Sequence, residues 1–227
     1  MLKFLPILIA LVYGYAMYRM SARRSSRELA EKSAELADAT LRDQFMRLAH
    51  ALDLPRVRVF LYDIEPVNGL ASPDGKVYIT RGFYQKFRSG EVTAEEMASV
   101  VAHELGHVAL GHSQRRMIDF SGQNALRTAL AMVISRFIPG VGPYIATALT
   151  RVLAAKLSRR DEFEADAYAS ALLHKSGIGT DAQKSLFLKL NTLTGAHGAA
   201  TPAWFMSHPH VDERIKAIEM NEAKWQV

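Results

Sequence analysis

The chain has 227 residues, 49% of them hydrophobic, which is enough for one compact domain with a sizeable core. It contains no cysteine, and this excludes disulfide bonds and thiolate metal ligands. The formal net charge is +5, but the basic cluster directly follows an apolar N-terminal segment, and no basic strip interleaved with aromatic residues occurs elsewhere. We therefore expect no nucleic-acid binding.

The first predicted element is an uncharged apolar segment at residues 4–18. It is short for a membrane span, which needs about 20 residues, but Lys3 and Arg19 can extend it by anchoring at the interface. The alternative is a cleaved signal peptide, but four arginines follow the segment and no small-x-small cleavage site is evident. We therefore predict an uncleaved single-pass anchor at residues 1–24. The arginines then favour the cytoplasmic over the periplasmic face of a bacterial-type inner membrane for the domain at residues 25–222.

A helix is predicted next from Ser26 to about Leu52, because leucines and other apolar residues recur at helical spacing and Pro55 ends the pattern. Residues 57–62 are β-rich and alternate weakly, which predicts a strand. The turn signal Ser72-Pro73-Asp74-Gly75 joins two further strands. Strands followed by helices indicate an α+β fold that is mostly helical, with a small antiparallel sheet before the next helix.

That helix, at about residues 93–112, carries the sequence His103-Glu104-Leu105-Gly106-His107 and begins with a capping box at Thr93. Residues four apart lie on one face of a helix, so both imidazoles can reach a single ion. A catalytic zinc site has three protein ligands and a water, and the glutamate lies beside that water. The pattern predicts a zinc hydrolase with His103 and His107 as ligands and Glu104 as the general base.

A third zinc ligand has to come from elsewhere. His112 is five positions from His107, about 500° around a continuous helix axis, so we interpret it as a solvated residue at the helix end that points away from the pair. Glu162 and Asp166 form an i,i+4 pair on another predicted helix, with Glu164 on its far side. One of these two carboxylates could bind zinc while the other accepts a hydrogen bond from a ligating histidine; alternatively, both could belong to a charged, solvated helix face.

Residues 124–157 are strongly apolar but contain three arginines and the sequence Pro139-Gly140-Val141-Gly142-Pro143. No uninterrupted apolar run reaches the roughly 18 residues of a membrane crossing, so two crossings are not expected. One interpretation is a pair of core helices joined by a turn. The other is a helical hairpin that dips into the membrane face beside the active site, because amphipathic helices with arginines suit that interface.

The motifs H-E-L-G-H and S-R-x-x-E-F-x-A-D, the second at residues 158–166, together resemble those of the HtpX-like and CAAX prenyl endopeptidase-like zinc peptidases. These membrane-associated enzymes are glutamate-type zincins (gluzincins). The resemblance implies a zincin-like metallopeptidase domain with one Zn²⁺ per chain. It makes Glu162 the third zinc ligand and places Asp166 as a hydrogen-bond partner of a ligand.

Two further segments extend this resemblance to roughly residues 40–220. Residues 207–215 are similar to the family's S-H-P-x-x-x-x-R-I element. Residues 67–71 and 75–80 resemble its strand pair before the active-site helix, although Gly69 stands where a small apolar residue is usual. The resemblance implies that His208 lies near the metal. There it could stabilise the oxyanion or bind zinc in a resting state, whereas the alternative His210 has no family support.

The expected function is that of a zinc-dependent endopeptidase, a hydrolase of extended polypeptides that works at a membrane. An exposed strand edge near Asn68, Gly69, Leu70 and Ala71 could bind substrate as an added strand, and an ordinary β-turn approach is the alternative. The resemblance implies misfolded or membrane-associated substrates, as in protein quality control. A zinc-stabilised membrane chaperone or adaptor and a non-peptidase metallohydrolase stay open, although a structural zinc would not need the base Glu104.

Overall fold

A computed structural model describes residues 5–72, 74–193 and 211–225 of the chain. The helices and strands in these ranges are, in chain order, α1 (Leu5–Glu31), β1 (Ser33–Glu35), α2 (Ala39–Ala51), β2 (Val59–Tyr62), β3 (Gly69–Ala71), β4 (Val77–Thr80), α3 (Arg81–Arg88), α4 (Ala94–Ala109), α5 (His112–Phe137), α6 (Gly142–Lys175), α7 (Asp181–Leu193) and α8 (Val211–Trp225). The expectation of a mostly helical α+β chain with a small sheet before the motif-bearing helix is confirmed.

The sheet is mixed, so the expectation of a purely antiparallel sheet is wrong. Its strand order is β1-β2-β4-β3, with β2 and β4 parallel and the two outer pairs antiparallel. All four residues of β4 are buried, which fits a central position, whereas β3 has only three residues and lies at the edge. β3 runs opposite to β2, and β4 turns back to run opposite to β3. Because β4 lies beside β2, these two strands are neighbours that run in the same direction.

The single helix expected from Ser26 to Leu52 is also wrong. α1 ends at Glu31, and residues 33–35 pair with residues 60–62 as β1 and β2. α2 then starts anew because the Asp38 carboxylate accepts hydrogen bonds from the backbone N–H groups of Thr40 and Leu41, at 2.9 and 3.2 Å. The helical spacing of apolar residues continues on both sides of this break, so the pattern did not reveal it.

α1 contains most of the apolar N-terminal segment; residues 1–4, including Lys3, lie outside the described part of the chain. Among the described residues, no helix has both the length and the apolar character that a membrane crossing requires. The anchor at residues 1–24 therefore stays a prediction.

α4 lies in the middle of the hydrophobic core and packs against the sheet and the helices α2, α6 and α7. Its apolar residues Met97, Val100 and Val101 are buried among side chains from each of these elements: Leu41, Leu48, Ile79, Leu173 and Leu190. A helix enclosed in this way has little freedom to tilt or slide, because protein interiors are close-packed. The C-terminal half of α4, which carries the two histidines, is therefore held in place by its N-terminal half.

The predicted capping box at the start of α4 is present and also connects this helix to α7. Thr93 Oγ1 accepts from the Glu96 backbone N–H at 3.2 Å, and the Glu96 carboxylate accepts from the Thr93 N–H at 2.9 Å. On α7, Lys189 Nζ lies 2.7 Å from the same carboxylate, and the Ser185 hydroxyl donates to it at 2.7 Å. Burial raises the pKa of Glu96, but these hydrogen bonds outweigh burial and lower it overall.

We expect Glu96→Gln to lower the free energy of unfolding at neutral pH by about 1–2 kcal/mol, because it removes hydrogen bonds to a charged acceptor. A folded-state pKa below the unfolded value of about 4.3 stabilises the protein above that pH, and this stabilisation disappears as the pH falls through the folded pKa. The difference between wild type and variant in urea denaturation should therefore shrink on acidification below about pH 4. Glu95→Gln is the control, since it removes the neighbouring charge but no contact with Lys189. A difference independent of pH would contradict the argument.

Residues 124–157 form the end of an antiparallel hairpin of α5 and α6, which pack against each other along their length. Many of its described apolar side chains are exposed, with Phe137 at 78% and Tyr144 at 77%. The interpretation as two core helices is therefore wrong for these side chains. The apolar run was typical of a core, but at this end the two helices pack mainly on each other, so one face of each is left exposed.

Candidate active site and metal centre

The side chains of His103 and His107 meet on one face of α4, as the motif predicts. Their Nε2 atoms lie 3.1 Å apart, and the side chains are almost fully buried. The other ring nitrogen of each histidine has a separate partner: Nδ1 of His103 faces Asp166, and Nδ1 of His107 faces His112. Since an imidazole carries its proton on the nitrogen that donates, both Nε2 lone pairs can point to one position.

Glu162 completes a set of three donors although it lies far along the chain on α6. Its carboxylate oxygens are 3.4 Å from His103 Nε2 and 3.5 Å from His107 Nε2. α6 comes close enough because the motif has glycine at 106: a Cβ there would lie 3.0 Å from the carbonyl oxygen of Ala165 and 3.3 Å from Cβ of Tyr168. The small residue within the motif thus determines how closely the two helices approach.

The donor set fits a zinc ion. Zinc binds imidazole nitrogen and carboxylate oxygen at about 2.0–2.2 Å, so the ligand atoms of a tetrahedral site lie about 3.3 Å apart. The separations here are 3.1, 3.4 and 3.5 Å. Two neutral imidazoles and one carboxylate are also the composition of a catalytic zinc site, which leaves the fourth position to water.

Asp166 lies one helical turn beyond Glu162 and contacts the first histidine. Its Oδ1 is 2.9 Å from His103 Nδ1. Burial lowers the pKa of His103, but hydrogen bonds to Asp166 and Glu162 outweigh it and raise the pKa to about 9. The negative potential that favours a proton at this place would equally favour a divalent cation. Asp166 thus faces Nδ1 of His103, whereas Glu162 faces Nε2 of the same ring.

Arg214 on α8 was not among the candidate residues, although it is the arginine of the S-H-P-x-x-x-x-R-I element. It is fully buried, and Nε and Nη2 donate to the two oxygens of Asp166 at 2.6 and 2.7 Å. Nη1 lies 3.6 Å from Glu162, and the guanidinium packs 4.4 Å above the ring of Phe187. Burial lowers the pKa of Arg214, but the charge and hydrogen bonds of Asp166, together with the charges of Glu162 and Glu104, outweigh burial and raise the pKa. The arginine therefore offsets the charge of Asp166, the carboxylate behind His103.

Glu104 and the edge strand β3 lie next to each other. The Glu104 side chain is 2% exposed, and a Cβ at Gly69 would lie 3.4 Å from its Oε1 and 2.6 Å from Val100. β3 pairs with β4 on one side, and its other side has no strand partner among residues 5–72, 74–193 and 211–225. Asn68 precedes this strand, and its backbone bonds to Thr80. Asn68, Gly69, Leu70 and Ala71 thus form a sheet edge beside the predicted base.

Comparison with known proteins agrees with this geometry. The sequence profile of peptidase family M48 matches residues 35–222, which is most of the chain. The chain belongs to peptidase family M48. The predicted resemblance to HtpX-like zinc peptidases is thereby confirmed at the level of the family.

Several relatives of this M48 chain are proteases by name. The metalloproteases YcaL and LoiP of Escherichia coli (strain K12) are 32% and 30% identical to it, and each alignment covers 70% of this chain. A protease HtpX homologue of Chlorobium phaeobacteroides (strain BS1) is 25% identical over 93% of this chain and 77% of its own length. The M48 chain spans about three fifths of YcaL and LoiP, 59% and 60% respectively.

The expected C-terminal motif is only partly described. α8 begins at Val211 and contains Arg214, whereas His208 and the alternative His210 lie outside the described residues. The roles expected for these two histidines in the M48 chain therefore stay predictions. Pro73 of the predicted turn before β4 also lies outside them, although the flanking residues form the turn through a 2.9 Å bond from Gly75 N–H to Ser72 C=O.

The interpretation of His112 as a solvated residue that points away is wrong. Its side chain is 1% exposed, and its Nδ1 lies 2.7 Å from Nδ1 of His107. α4 stops at Ala109, and Gly111 takes a left-handed conformation with φ 65°. His112 then starts α5, so counting 100° per residue along one continuous helix does not apply. Glu164, expected on the side of α6 away from Glu162 and Asp166, is not part of the donor set of Glu162 and faces His112.

Proposed function

We propose that this M48 chain is a zinc-dependent endopeptidase. The observation that carries the proposal is the convergence of His103, His107 and Glu162 within 3.1 to 3.5 Å of one another, with Glu104 next to the first ligand in the chain. We assign these three residues as ligands of one Zn²⁺ and Glu104 as the general base. Buried donors of this composition, arranged around one point, are far more specific than the histidine motif alone.

In peptide hydrolysis, each residue of the site would have a separate role. Bound zinc supplies an acidified water and polarises the scissile carbonyl. The Glu104 carboxylate takes a proton from the attacking water and later delivers it to the leaving amine, so it is regenerated at the end of each cycle. Asp166 accepts the His103 Nδ1–H and thereby keeps this imidazole in the tautomer whose Nε2 is a ligand. We assign His208 as a donor to the oxyanion.

The substrate class we propose is an extended polypeptide. An incoming segment would pair with the outer edge of β3, where backbone N–H and C=O groups can add another strand. Gly69 supports this placement because even a Cβ at this position would lie 3.4 Å from Glu104 Oε1, so β3 passes close to the proposed base. A segment bound there passes beside the base in a fixed direction, and its peptide backbone, rather than one side chain, is recognised. Unfolded and misfolded chains present such segments, whereas folded domains rarely do.

We further propose that the protein works at a membrane. The hairpin of α5 and α6 exposes large apolar side chains, and residues 124–157 contain four cations and no carboxylate. Apolar groups and arginines on one hairpin suit the boundary between anionic headgroups and acyl chains. Together with an anchor at residues 1–24, the hairpin would hold the catalytic domain near membrane-associated substrates. The arginines after the anchor favour the cytoplasmic over the periplasmic face for this domain.

Removal of zinc is the test of the proposed function. We expect the purified full chain to bind one Zn²⁺, to lose hydrolysis of an unfolded casein-like substrate when a strong chelator removes the metal, and to recover it when stoichiometric zinc is added. Metal content is measured by atomic emission and hydrolysis by release of labelled peptides. Hydrolysis that persists in verified metal-free protein would contradict the proposal. One zinc per chain with no hydrolysis, but with suppressed aggregation of an unfolded client, would instead support the chaperone alternative.

A further inference from the structure

The two histidines of the proposed zinc site are supported differently. Nδ1 of His103 faces a carboxylate, Asp166, whereas Nδ1 of His107 faces another imidazole nitrogen, Nδ1 of His112, at 2.7 Å. Two ring nitrogens at this distance share one proton, because two N–H groups would repel and two lone pairs would form no bond. The protonation of both rings is therefore linked.

One assignment of protons fits the contacts that the structure describes for this pair. His107 Nε2 faces Glu162 and His103 as a ligand atom, so its proton is on Nδ1 and is donated to His112. His112 Nδ1 then accepts, and its own proton is on Nε2. That nitrogen lies 3.3 Å from the Glu164 carboxylate, which can only accept when ionised. The opposite assignment would leave the His112 Nε2 lone pair against a carboxylate.

The far end of this chain of hydrogen bonds is held by two arginines. Arg115 Nη1 donates to Glu164 at 2.7 Å and lies 3.3 Å from Asp161. Arg160 Nε donates to the other oxygen of Glu164 at 2.7 Å. These contacts keep Glu164 ionised, and they lower its pKa to about 2.

A second metal ion is a poor explanation for the same residues. The side chains of His112, Asp161 and Glu164 do come together closely enough to hold an ion. Arg115 already supplies a positive charge to both carboxylates. The guanidinium of Arg115 thus takes the place that a metal ion would have beside these carboxylates. The buried His112 directs its Nδ1 to His107.

We propose that His112 is a positioning residue for the metal centre: it accepts the Nδ1–H of His107, fixes that ring and its tautomer, and is held in turn by Glu164 and Arg115. This inference rests on the proposed zinc site, but not on peptide hydrolysis. The role also explains the break at Gly111: because the helix stops there, His112, the first residue of α5, can turn back onto the last turn of α4. Mutation of a hydrogen-bond partner of a metal-bound histidine typically weakens metal binding by 10- to 100-fold.

Zinc affinity tests the inference without using activity. We expect His112→Leu to weaken zinc binding at least about 10-fold in competition with a chromophoric chelator. His112→Asn should stay within about 3-fold of wild type, because its amide oxygen can replace Nδ1 as the acceptor. His50→Leu, an exposed histidine on α2, is the matched control. Circular dichroism confirms that each variant is folded, and the visible spectrum of the cobalt-substituted protein should change for His112→Leu only.

The outcomes separate this inference from the proposed function. Wild-type zinc affinity in folded His112→Leu, or equal losses in the leucine and asparagine variants, would overturn the hydrogen-bond role. If zinc binding changes as expected but no variant hydrolyses peptides, the positioning role stands and the peptidase proposal fails. Should His112→Leu not fold, ¹⁵N NMR of the wild-type rings still decides: His112 has to be protonated on Nε2 and bare on Nδ1, and the reverse tautomer contradicts the inference.

Discussion

Glu104→Gln is expected to reduce hydrolysis of an unfolded protein substrate by about 10³-fold, with bound zinc unchanged at one per chain. Glutamine has nearly the same shape as glutamate, so the packing of the buried side chain is retained. Its amide cannot accept a proton from water, so the water is not activated and the leaving amine is not protonated. The change should appear in kcat rather than in KM, because β3 and the zinc ligands are not altered.

The measurement compares initial rates at equal zinc occupancy, with metal content determined on the same samples. Glu95→Gln is the matched control, since it makes the same chemical change on α4 but at the opposite end from the site. We expect it to retain the wild-type rate. Comparable rates in Glu104→Gln and wild type would rule out Glu104 as the base. Loss of zinc from the variant would show instead that the glutamate supports the metal.

Arg214→Met should lower the free energy of unfolding by about 3–5 kcal/mol, because it removes one partner of a buried ion pair. The substitution keeps much of the side-chain volume but deletes the guanidinium that donates to both oxygens of Asp166. Asp166 then stays buried one helical turn from the carboxylate of Glu162. It has lost the cation that paired with it, and a buried carboxylate without that cation is far less favourable than the ion pair. Burial raises the pKa of Asp166, and in the wild type the charge and hydrogen bonds of Arg214, together with those of His103, outweigh burial and lower the pKa.

Urea denaturation in the presence of a chelator measures this effect, because bound zinc would otherwise add to the stability of both proteins. The control is Arg58→Met, which removes an exposed arginine 2.8 Å from Glu35. Exposed pairs contribute about 1 kcal/mol or less, so this variant should stay close to wild type. A loss below about 1 kcal/mol for Arg214→Met would contradict the role we assign to the buried pair.

Local patterns predicted much of the region around the site. The capping box of Thr93 and Glu96 predicted where α4 starts, and the structure has α4 from Ala94. The spacing of His103 and His107 predicted that both rings would share one face. These features depend on residues three or four positions apart, and such residues interact within a single helix. For the same reason they are insensitive to the rest of the fold.

Patterns that depend on contacts between elements were predicted less well. The apolar spacing over residues 26–52 did not show that residues 33–35 pair with β2, because strand pairing depends on a partner more than 20 residues away. The apolar run at 124–157 was compatible with burial, but nothing in the run says which elements cover it. Arg214 was part of a motif, yet its contact with Asp166 requires α8 to pack against α6.

The sequence by itself determined that two histidines share one helix face with a glutamate beside them, since a helix of 3.6 residues per turn brings residues four apart into line. Only the tertiary structure decided what surrounds them. It is the close approach of α6 at Gly106 that brings Glu162 to the histidines, the packing of α8 that brings Arg214 to Asp166, and the break at Gly111 that turns His112 back to His107. Each of these contacts joins separate helices, so its geometry depends on how those helices pack. The spacing of residues along the chain does not specify that packing.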